Sequence, residues 1–289
     1  MKTLVGFGLL NKDLVAVAPG IQRDHKSEAT RYFEQVGGPV PVALQCAARL
    51  GGIRTIHLGV TGHDTEGAAL ASWLSEFGVT SCLQQANGVA TSKSLVLLDA
   101  NDGTRTLANY SETLPPFIFD SAADTLLRSA DLLHLDGRDL NGCLHAAQVT
   151  KSAGGHVSYD LGTMRAGREA LFPLCDLVLA SRKGGAGAFP EFASDPLAQV
   201  QGFLEAGVSV AGVTLAEQGV AIGWRGGPAP TILPAFTVER VADTCGAGDT
   251  FHGAFCWSYL NGYPPPDAAR FAMAAVALRI QSYGNRIGV

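Results

Sequence analysis

The sequence predicts a mostly parallel, doubly wound α/β sheet with a small β-strand lid. Short apolar runs alternate with helical patterns along most of the 289 residues, and continuous apolar strands are typical of a parallel sheet that is covered on both faces. The 35 glycines supply many turns, and 47% hydrophobic residues suit a large core and argue against disorder. The length fits one large domain, which we expect to span residues 1–289.

The strands and helices are predicted from the alternation of these two patterns. Apolar runs predict strands at 3–8, 55–60, 94–98, 131–135, 156–159, 177–180, 208–215 and 220–224. Segments with helical periodicity lie between several of them, at 42–50, 66–77, 121–129, 142–152 and 196–205. A loop at 263–267 precedes a last helix, which we expect to run to about residue 281.

Two segments, 14–36 and 88–112, do not fit a strand–helix unit. The second contains two runs with β-type alternation, SKSLVLLD and TRTLANY, on either side of an Asn-Asp-Gly turn at 101–103. Such a turn between alternating runs is typical of a β-hairpin. We expect both segments to project from the main sheet as the lid.

The composition disfavours several kinds of partner and compartment. The net charge is −5 and no basic run offsets it, which argues against nucleic acid and anionic membranes as partners. No stretch of 18 apolar residues predicts a transmembrane helix, and the N-terminal MKTLVGFGLLNKD is better explained as a first strand than as a signal peptide. The six cysteines are scattered without a C-x-x-C pair, which indicates reduced thiols in a cytoplasmic protein.

The stretch DTCGAGDTFHGAF at 243–255 carries the clearest chemical signal. If a helix begins near Gly246 or Ala247, its first N–H groups are unpaired. Gly246, Ala247 and Gly248 leave the approach to these amides open, and the helix dipole adds about 0.3–1 kcal/mol of attraction for an anion. The segment therefore predicts an anion hole for a phosphoryl group, without the Lys-Ser/Thr pair of a P-loop.

Two acids, Asp243 and Asp249, flank this anion hole. An acid in the first turn of a helix commonly acts as a cap or dipole partner, so that explanation stays open for Asp249. Next to an anion hole, Asp249 is also placed to take the proton from a substrate hydroxyl that attacks phosphorus. We expect Asp243 to order the turn and the cation environment rather than to react, and His252 and Cys256 to pack in the helix interior.

This stretch resembles the signature of the ribokinase-like (PfkB) carbohydrate kinases, D-T-x-G-A-G-D followed by an F-x-G-A-like helix. Further matches extend across nearly the whole chain: Gly37-Gly38 before CAARLG, Gly8 with Asp13, and VTLAEQG at 213–219. The resemblance implies a doubly wound α/β domain with a β-lid, clasped in a homodimer through that lid. It also implies MgATP as the phosphoryl donor, and it allows for a monovalent cation such as K⁺ near Asp243.

The resemblance implies a role for each matching position. For catalysis these are Asp249 as the base and Gly246, Ala247 and Gly248 as the anion hole. The implied sugar contacts are Asp13, Gly37 and Gly38, and the implied nucleotide contacts are Ser181, Thr214 and Gly219.

Three positions depart from the family pattern. Val42 stands where many members have a sugar-binding Asn, and Ala216 replaces the first glycine of T-x-G-x-x-G. The N-x-x-E motif that organises magnesium reads Ser-Arg-Lys-Gly at 181–184, without its acid. These departures argue against a ribose-like hydroxyl pattern and leave open how magnesium is held.

One branch of the family shares some of these departures. The GGP start at 37–39 and the Ser-x-x-Gly in place of N-x-x-E resemble the sulfoquinovose kinases, and this resemblance singles out Lys26, Asn109 and Arg138 as substrate contacts. Arg138 follows an apolar strand, and α/β sheets bind ligands at the carboxyl ends of their strands. Its guanidinium could grip a sulfonate, phosphate or carboxylate.

Each of these contacts has a structural alternative. Arg138 could pair with Asp136 or Asp139, while Lys26 could be a solvated surface residue and Asn109 a turn or edge residue. Ketohexokinase-like members also carry an arginine at the Arg138 position. An acidic hexose such as sulfoquinovose is therefore the first candidate substrate, and a neutral ketose or fructose-type sugar is the second.

Other patterns leave further alternatives. Asp160 ends the strand HVSYD at the same sheet edge and is a candidate ligand of a magnesium-bound water, with an N-cap or turn role as the alternative. GFGLLN at 6–11 imitates a dinucleotide fingerprint, but Asn11 takes the place of the third glycine, and GGAGAF at 184–189 has its glycines badly spaced. An NAD-dependent oxidoreductase and a non-catalytic sugar or nucleotide sensor thus remain alternatives to an ATP-dependent sugar kinase.

Overall fold

The computed structural model of the chain describes residues 1–21, 24, 26–110 and 114–285. Within these residues it contains thirteen strands, eight α-helices and three 3-10 helices. The strands are β1 (Lys2–Phe7), β2 (Asn11–Ala18), β3 (Arg31–Gly37), β4 (Ile53–Gly62), β5 (Val79–Ala86), β6 (Lys93–Asp99), β7 (Arg105–Tyr110), β8 (Leu132–Leu135), β9 (His156–Leu161), β10 (Leu177–Ser181), β11 (Val210–Thr214), β12 (Val220–Trp224) and β13 (Thr231–Leu233). The α-helices are α1 (Pro39–Leu50), α2 (Thr65–Glu76), α3 (Ser121–Arg128), α4 (Leu140–Ser152), α5 (Arg182–Ala188), α6 (Pro196–Glu205), α7 (Ala247–Leu260) and α8 (Pro265–Arg279). The 3-10 helices cover Arg168–Leu174, Pro190–Phe192 and Ala216–Gln218.

Nine strands form the main sheet, in the order β13-β12-β11-β10-β9-β8-β1-β4-β5. The strands from β11 to β5 pair in parallel, and β12 and β13 are added antiparallel at one edge. The chain builds outward from β1 in both directions, through β4 and β5 on one side and through β8 to β11 on the other. This confirms the predicted doubly wound α/β fold, and it places a crevice beyond the carboxyl ends of β1 and β8, where the strand order reverses.

Apolar clusters cover both faces of the main sheet. In β8, Leu132 belongs to the cluster that includes α1, α2, α7 and α8, and Leu133 belongs to the cluster that includes α3, α4 and α6. Both side chains are fully buried. Because each face is covered, the central strands have to be apolar on both sides, which explains the continuous apolar runs in the sequence.

The lid is a separate four-stranded sheet in the order β3-β2-β6-β7. Strands β6 and β7 pair antiparallel around the turn at 101–103, as the sequence predicts. Successive side chains of a strand point to opposite faces, and in β6 Ser94 is buried while Leu95 and Leu97 are exposed. Asp13, Ser94 and Asn109 are paired in register and therefore share one face, which we call the inner face of the lid. Leu95 and Leu97 lie on the opposite, outer face.

Helices α1 and α7 approach each other closely enough for backbone contact. A Cβ atom at Gly253 would collide with the carbonyl oxygen of Ala43 and would lie 2.9 Å from the Cβ of Cys46. About two turns earlier, at the N-cap of α7, Val42 lies beside Gly246, with its Cγ1 3.5 Å from where a Cβ would be. Val42 is thus part of the packing at the start of α7.

The structure differs from the predicted elements at several places. The first lid segment begins at Asn11 rather than residue 14 and contains two strands, because polar residues such as Asn11, Lys12 and Asp13 conceal the start of β2. The edge strand β5 was not predicted, since its sequence VTSCLQQA is half polar. Helix α1 begins at Pro39, and proline is favoured in the first helical turn.

The described residues also bear on the predicted membrane and cysteine properties. In this part of the chain, no helix combines the length and apolarity needed to cross a bilayer. The six cysteines are unpaired, and all of them except Cys82 are buried. Burial raises the pKa of the Cys256 thiol to about 12, so this residue is a packing group rather than a nucleophile.

Candidate active site

Two loops meet where the strand order of the main sheet reverses. The Asp136 carboxylate accepts hydrogen bonds from the amide of Leu9, after β1, at 2.8 Å and from the amide of Arg138, after β8, at 2.9 Å. A Cβ atom at Gly8 would lie 2.6 Å from the same carboxylate, so this approach requires glycine. Asp136 therefore ties together the two loops that form the floor of the crevice.

The glycine-rich loop leads into α7 as the sequence predicts. Gly246 is the N-cap residue with φ of 77°, a left-handed conformation that favours glycine. The amide of Ala247 donates to the carbonyl of Thr244 at 3.3 Å. Among the described residues, no acceptor pairs with the amides of Gly246 and Gly248. The donors open to an anion are therefore those of Gly246 and Gly248, whereas the amide of Ala247, which was also expected to take part, is engaged in the turn.

Asp249 lies in the first turn of α7 and lines a cavity of about 240 Å³. Burial raises the pKa of its carboxyl group well above the usual range, and the nearby Asp160 carboxylate raises it further. Arg105 and Arg279 act in the opposite direction. A carboxylate with a raised pKa is a stronger base, which suits a group that takes a proton from a hydroxyl near neutral pH.

The cavity beside Asp249 combines acidic and basic side chains. Its lining includes Asp136, Asp160 and Asp249 together with Arg138 and Arg165. Burial raises the pKa of both Asp136 and Asp160, and the two carboxylates repel each other. Carboxylate oxygens are the ligands that Mg²⁺ and its bound waters prefer, while guanidinium groups bind sulfonate, phosphate and carboxylate. This cavity can thus accommodate a divalent cation and an anionic group side by side.

A larger cavity of about 950 Å³ adjoins the first. Ser181, Thr214 and Gly248 line both cavities, and Gly219 lines the larger one. Apolar side chains from α7 and α8 supply much of the remaining surface. The volume lies within the range of ordinary small-molecule sites. The structure therefore brings all three predicted nucleotide contacts, Ser181, Thr214 and Gly219, to one cavity.

The segment at 181–184 forms the start of α5. The Ser181 hydroxyl caps the helix by accepting a hydrogen bond from the amide of Gly184 at 2.9 Å, and it donates one to the carbonyl of Gly162 at 2.7 Å. A Cβ atom at Gly184 would collide with the carbonyl oxygen of Leu161. Because no side chain fits at residue 184 in this arrangement, the acid of the N-x-x-E motif cannot stand there.

The inner face of the lid carries a chain of polar side chains. The Asn11 amide donates to the Asp13 carboxylate at 2.8 Å and to the Ser94 hydroxyl at 2.7 Å, and Ser94 donates to the Asn109 side-chain oxygen at 2.9 Å. Burial raises the pKa of Asp13 to about 6, although hydrogen bonds from Asn11, Gln35 and Ser94 lower it. The Asp13 carboxylate in turn raises the pKa of Asp249.

The remaining predicted sugar contacts fall into two groups. Gly37 lies against Asp13, since a Cβ there would collide with the Asp13 carboxylate. Gly38 has a left-handed φ of 103°, and a Cβ there would collide with the carbonyl oxygen of Leu9. Both glycines shape the corner between the lid and α1. Lys26 is exposed on the loop between β2 and β3 and, in the described part of the chain, does not line either cavity. The structure thus gives no support to Lys26 as a contact.

Arg138 projects at the mouth of the smaller cavity. The Asp136 carboxylate accepts a hydrogen bond from the backbone amide of Arg138. The Asp139 carboxylate caps α4 by accepting a hydrogen bond from the amide of Gly142 at 3.0 Å. The positive charge of Arg138 lowers the pKa of the buried Asp136, although burial raises that pKa overall. Arg138 thus interacts with Asp136 through its charge and its backbone amide, and its exposed side chain also lines the cavity.

Asp243 was considered as a ligand of a monovalent cation, but its carboxylate is already engaged. One oxygen accepts the Cys245 amide at 2.7 Å, and the other accepts the Gly284 amide at 2.8 Å and lies 3.3 Å from the Arg279 guanidinium. Arg279 also donates to the carbonyls of Asp243 and Cys245. Since a guanidinium contacts these oxygens, a second positive charge at the same place would be repelled. K⁺ at Asp243 does not fit this structure.

Neither glycine-rich turn that imitates a dinucleotide motif has the required structure. The turn at 6–11 leads into strand β2 rather than a helix, so it offers no helix N-terminus for a pyrophosphate. The second, at 184–189, lies inside and just after the seven-residue helix α5. The structure therefore gives no support to an NAD-dependent oxidoreductase.

Comparison with known proteins decides the class. The chain matches the family model described as pfkB family carbohydrate kinase over residues 1–289. The chain belongs to this family of kinases. The resemblance drawn from the glycine-rich stretch is thus confirmed, and so is the activity as a phosphotransferase with ATP as the expected donor.

Individual relatives agree with this assignment. The kinase is 28% identical to an uncharacterized sugar kinase of Archaeoglobus fulgidus over 82% of its own length and 96% of that protein. It is 23% identical to a ribokinase of Haemophilus influenzae over 100% of its own length and 95% of the relative. Its fold is similar to that of a ribokinase from Thermotoga maritima, with a TM-score of 0.79 and 21% identity over 99% of this chain and 95% of that chain. An adenosine kinase from Sinorhizobium meliloti gives a TM-score of 0.85 and 20% identity over 100% of this chain and 96% of that chain.

Three arginines near the kinase site were not predicted from the sequence. Arg105, from β7, donates to the carbonyl and the hydroxyl of Thr244, each at 3.2 Å, and lines the larger cavity. Arg165 lines the smaller cavity, and Arg279 lies buried behind the glycine-rich loop. They come from separate elements and share no motif. For Arg279, the one available signal was a basic residue ending the apolar run FAMAAVAL.

His252 is buried in α7, as expected, and also lines the smaller cavity of this kinase. Its Nε2 lies 3.3 Å from the Asp160 carboxylate. Burial lowers the pKa of His252 to about 3, so the ring is neutral. The neutral ring therefore does not neutralise the charge of the Asp160 carboxylate beside it.

Substituting Gly248 with alanine should impair the anion hole without destabilising the fold. A Cβ atom at Gly248 would have no neighbour within 4 Å, and alanine is favoured over glycine in a helix by about 1 kcal/mol, so we expect Tm to stay level or rise. Because Gly248 lines both cavities, the added methyl would obstruct the approach to its amide, and kcat should fall roughly 10- to 100-fold. Thermal unfolding and steady-state kinetics on one preparation check both expectations. Full activity in Gly248→Ala would show that the phosphoryl group does not approach at this residue.

Proposed function

We propose that this kinase transfers the γ-phosphoryl group of ATP to a hydroxyl of an acidic hexose such as sulfoquinovose. The observation that carries the proposal is the junction of the two cavities. Gly248 lines both of them, and Asp249, the next residue, lines the smaller one. A nucleotide in the larger cavity and a sugar in the smaller one would meet at the open amides of Gly246 and Gly248.

The chemistry at this junction divides between Asp249 and the loop before it. The Asp249 carboxylate accepts the proton of the sugar hydroxyl as its oxygen attacks the γ-phosphorus. The amides of Gly246 and Gly248 donate to the oxygens of the transferred group and stabilise the charge on it. The raised pKa of Asp249 supports its role as base. Closure of the lid over the sugar would exclude water and limit hydrolysis of ATP.

Magnesium would be held on the Asp160 side of the smaller cavity. Asp160 is buried at the end of β9, lies beside the neutral His252 and is repelled by Asp136. Buried carboxylates that repel each other are stabilised by a divalent cation, so these residues fit a hydrated Mg²⁺ ion, with Asp160 holding one of its waters. When bound, Mg²⁺ neutralises charge on the phosphates of the nucleotide.

The preference for an anionic sugar rests on Arg138 and Arg165. Both line the smaller cavity, and Arg138 is exposed there. A guanidinium can donate two parallel hydrogen bonds to a sulfonate or carboxylate, which favours such a group over a neutral hydroxymethyl. Asp13 and Asn109, on the inner face of the lid, would bind hydroxyl groups of the same sugar.

The experiment that tests this proposal is ADP release from MgATP across a panel of sugars. The panel contains sulfoquinovose, a hexuronic acid, fructose, another neutral hexose and ribose. We expect sugar-dependent ADP release with the highest kcat/KM for an anionic hexose. The highest value for fructose would favour the neutral ketose instead. If ATP binds and no sugar stimulates turnover, the protein is a sensor on a kinase fold and the proposal fails.

Substituting Arg138 with alanine should change substrate preference. Loss of the guanidinium removes a charge-assisted contact to the anionic group, so we expect KM for an anionic hexose to rise roughly 10- to 100-fold, with less than about a threefold change for a neutral sugar. Steady-state kinetics with both substrates measures this. The matched control is Arg128→Ala, an exposed arginine at the opposite end of the sheet that bonds Ser152. Equal effects of Arg138→Ala on both sugars would contradict an anion grip.

The outer face of the lid supports a homodimer. Tyr32, Leu95, Leu97 and Tyr110 are exposed by 43–63% on this sheet, and β7 is an edge strand whose residues are all exposed. Exposed apolar faces and unpaired edges are typical of interaction surfaces. We propose a second copy of this chain as the occupant, because two copies of the same four-stranded lid can cover each other's apolar faces around a two-fold axis.

Sedimentation of the purified protein tests this dimer. We expect a species of twice the chain mass, and we expect Leu95→Glu to convert it to the monomer because a carboxylate would be buried in the interface. Leu278→Glu is the matched control, since Leu278 is 64% exposed on α8, which is not part of the lid sheet. A dimer that survives Leu95→Glu, or a monomeric wild-type protein, would rule out this interface.

A further inference from the structure

A buried guanidinium lies directly behind the glycine-rich loop. Arg279, at the end of α8, is 1% exposed. One of its terminal nitrogens donates to the carbonyl of Cys245 and lies 3.3 Å from the Asp243 carboxylate. The other donates to the carbonyl of Asp243 at 3.4 Å and to that of Ser282 at 3.0 Å. Three of these four acceptors belong to the loop that precedes the anion hole.

The direction of the Cys245 carbonyl determines where the next amide points. In a trans peptide unit the C=O and the following N–H point in opposite directions, and the chain has no cis peptide bond among its described residues. Because Arg279 holds the Cys245 carbonyl on its own side, the amide of Gly246 is turned to the other side. That amide is one of the two for which no described acceptor exists. Arg279 thus fixes the orientation of an anion-hole donor without touching the anion.

A buried charge at this place requires an explanation. Removing an arginine from water costs several kcal/mol unless partners compensate it. Here the Asp243 carboxylate and three carbonyl oxygens supply that compensation, with the carboxylate 1% exposed. A cation ringed by one carboxylate and several backbone carbonyls is the arrangement in which proteins hold a metal cation with oxygen ligands. In this chain the positive charge is the guanidinium of Arg279, which is covalently bound to the protein and cannot dissociate as a metal ion can.

We propose that Arg279 is a positioning residue that takes the place of a monovalent cation, so that phosphoryl transfer does not depend on K⁺ or Na⁺. The inference rests on the proposed function. The fixed charge of the Arg279 guanidinium holds the carbonyls of Asp243 and Cys245 inward and keeps the Gly246 amide open to the transferred group. This charge remains in place in any salt.

The first test uses the wild-type enzyme in different salts. With the best sugar of the panel, we compare kcat/KM in the chlorides of K⁺, Na⁺, Cs⁺ and tetramethylammonium at constant ionic strength, with Mg²⁺ constant. We expect the four values to agree within about twofold, because the site is already filled by a charge that does not exchange. Activation by K⁺ of more than about tenfold over tetramethylammonium would overturn the inference. Absence of sugar-dependent ADP release in every salt would instead contradict the proposed function.

The second test removes the guanidinium and supplies a cation from solution. In tetramethylammonium chloride, we expect Arg279→Ala to lower kcat/KM by at least about tenfold, and added K⁺ or millimolar guanidinium to restore a substantial part of it. Arg279→Lys, which retains a charge, should lose less. Tm is measured in each salt, because a merely structural role would lower Tm and activity together and no cation would restore the rate.

Arg270→Ala is the matched control on the same helix, since Arg270 is an exposed residue paired with Asp267. It should be unaffected by any cation. Full activity of Arg279→Ala, or a loss that neither K⁺ nor guanidinium restores in a folded protein, would overturn the inference. If Arg279→Ala does not fold, Arg279→Lys and the salt series on the wild-type enzyme still decide it.

Discussion

Replacing Asp249 with asparagine is expected to lower kcat by roughly 10²–10⁴-fold, with little change in ATP affinity. The amide of asparagine cannot accept the proton of the sugar hydroxyl, whereas the shape of the site is kept. Asp249 lines the smaller cavity and not the larger one, so nucleotide binding should persist. Steady-state kinetics with the best sugar and calorimetric titration with ATP measure the two quantities separately.

Asp267→Asn is the matched control for this substitution. Asp267 also stands in the first turn of a helix, α8, but its side chain is 56% exposed and paired with Arg270. If Asp249 were only a helix cap or a dipole partner, the two substitutions would have similar, small effects on kcat. An unchanged kcat in Asp249→Asn would remove this residue as the base.

The second large effect concerns the packing of α7. We expect Gly253→Ala to lower the free energy of unfolding by more than about 2 kcal/mol, because overpacking is costly where the obstacle cannot move. The obstacle here is the carbonyl oxygen of Ala43, which is backbone of α1 rather than the end of a flexible side chain. Helices α1 and α7 would have to separate, and Tm should fall by several degrees. Denaturant titration and calorimetry give both values.

The same chemical change at Gly248 is the control for the substitution at Gly253. Both glycines lie in α7, but a Cβ at Gly248 has no neighbour within 4 Å. Gly253→Ala is expected to lose stability, and Gly248→Ala is expected to lose activity while keeping stability. Equal stability of the two variants would show that the contact between α1 and α7 is not as tight as the structure describes.

Much of the fold could be predicted because its signals are local. The apolar runs of β1, β8, β9 and β10 and the periodicity of the helices between them predicted the parallel sheet, and the Asn-Asp-Gly turn predicted the hairpin of β6 and β7. Strand β5 lies at the edge of the sheet and is half polar. Strand β2 begins with three polar residues, which belong to the lid sheet rather than to the apolar core of the main sheet. Such strands depend on partners that are distant in the sequence, so local patterns miss them.

The site divides in the same way. The open amides and Asp249 lie within a few residues of one another, so one short stretch predicted them. Arg105 comes from β7, Arg165 from the loop after β9 and Arg279 from α8, and only the folded chain brings them together. Arg279 also explains why Asp243, which was considered as a ligand for K⁺, is already neutralised. Whether an arginine belongs to the site can be predicted only when the residues that it contacts in the fold are known.

In the proposed reaction, Asp249 deprotonates a sugar hydroxyl, which then accepts the phosphoryl group. The most direct measurement is mass spectrometry of the sugar after incubation of the enzyme with MgATP and an anionic hexose, compared between the wild-type protein and Asp249→Asn. The structure predicts that the sugar gains the mass of one phosphoryl group with the wild-type protein, in equal amount to the ADP released, and that Asp249→Asn forms almost none over the same time. An unchanged sugar mass across the whole panel while ATP binds, or equal product from both proteins, would contradict the proposed reaction.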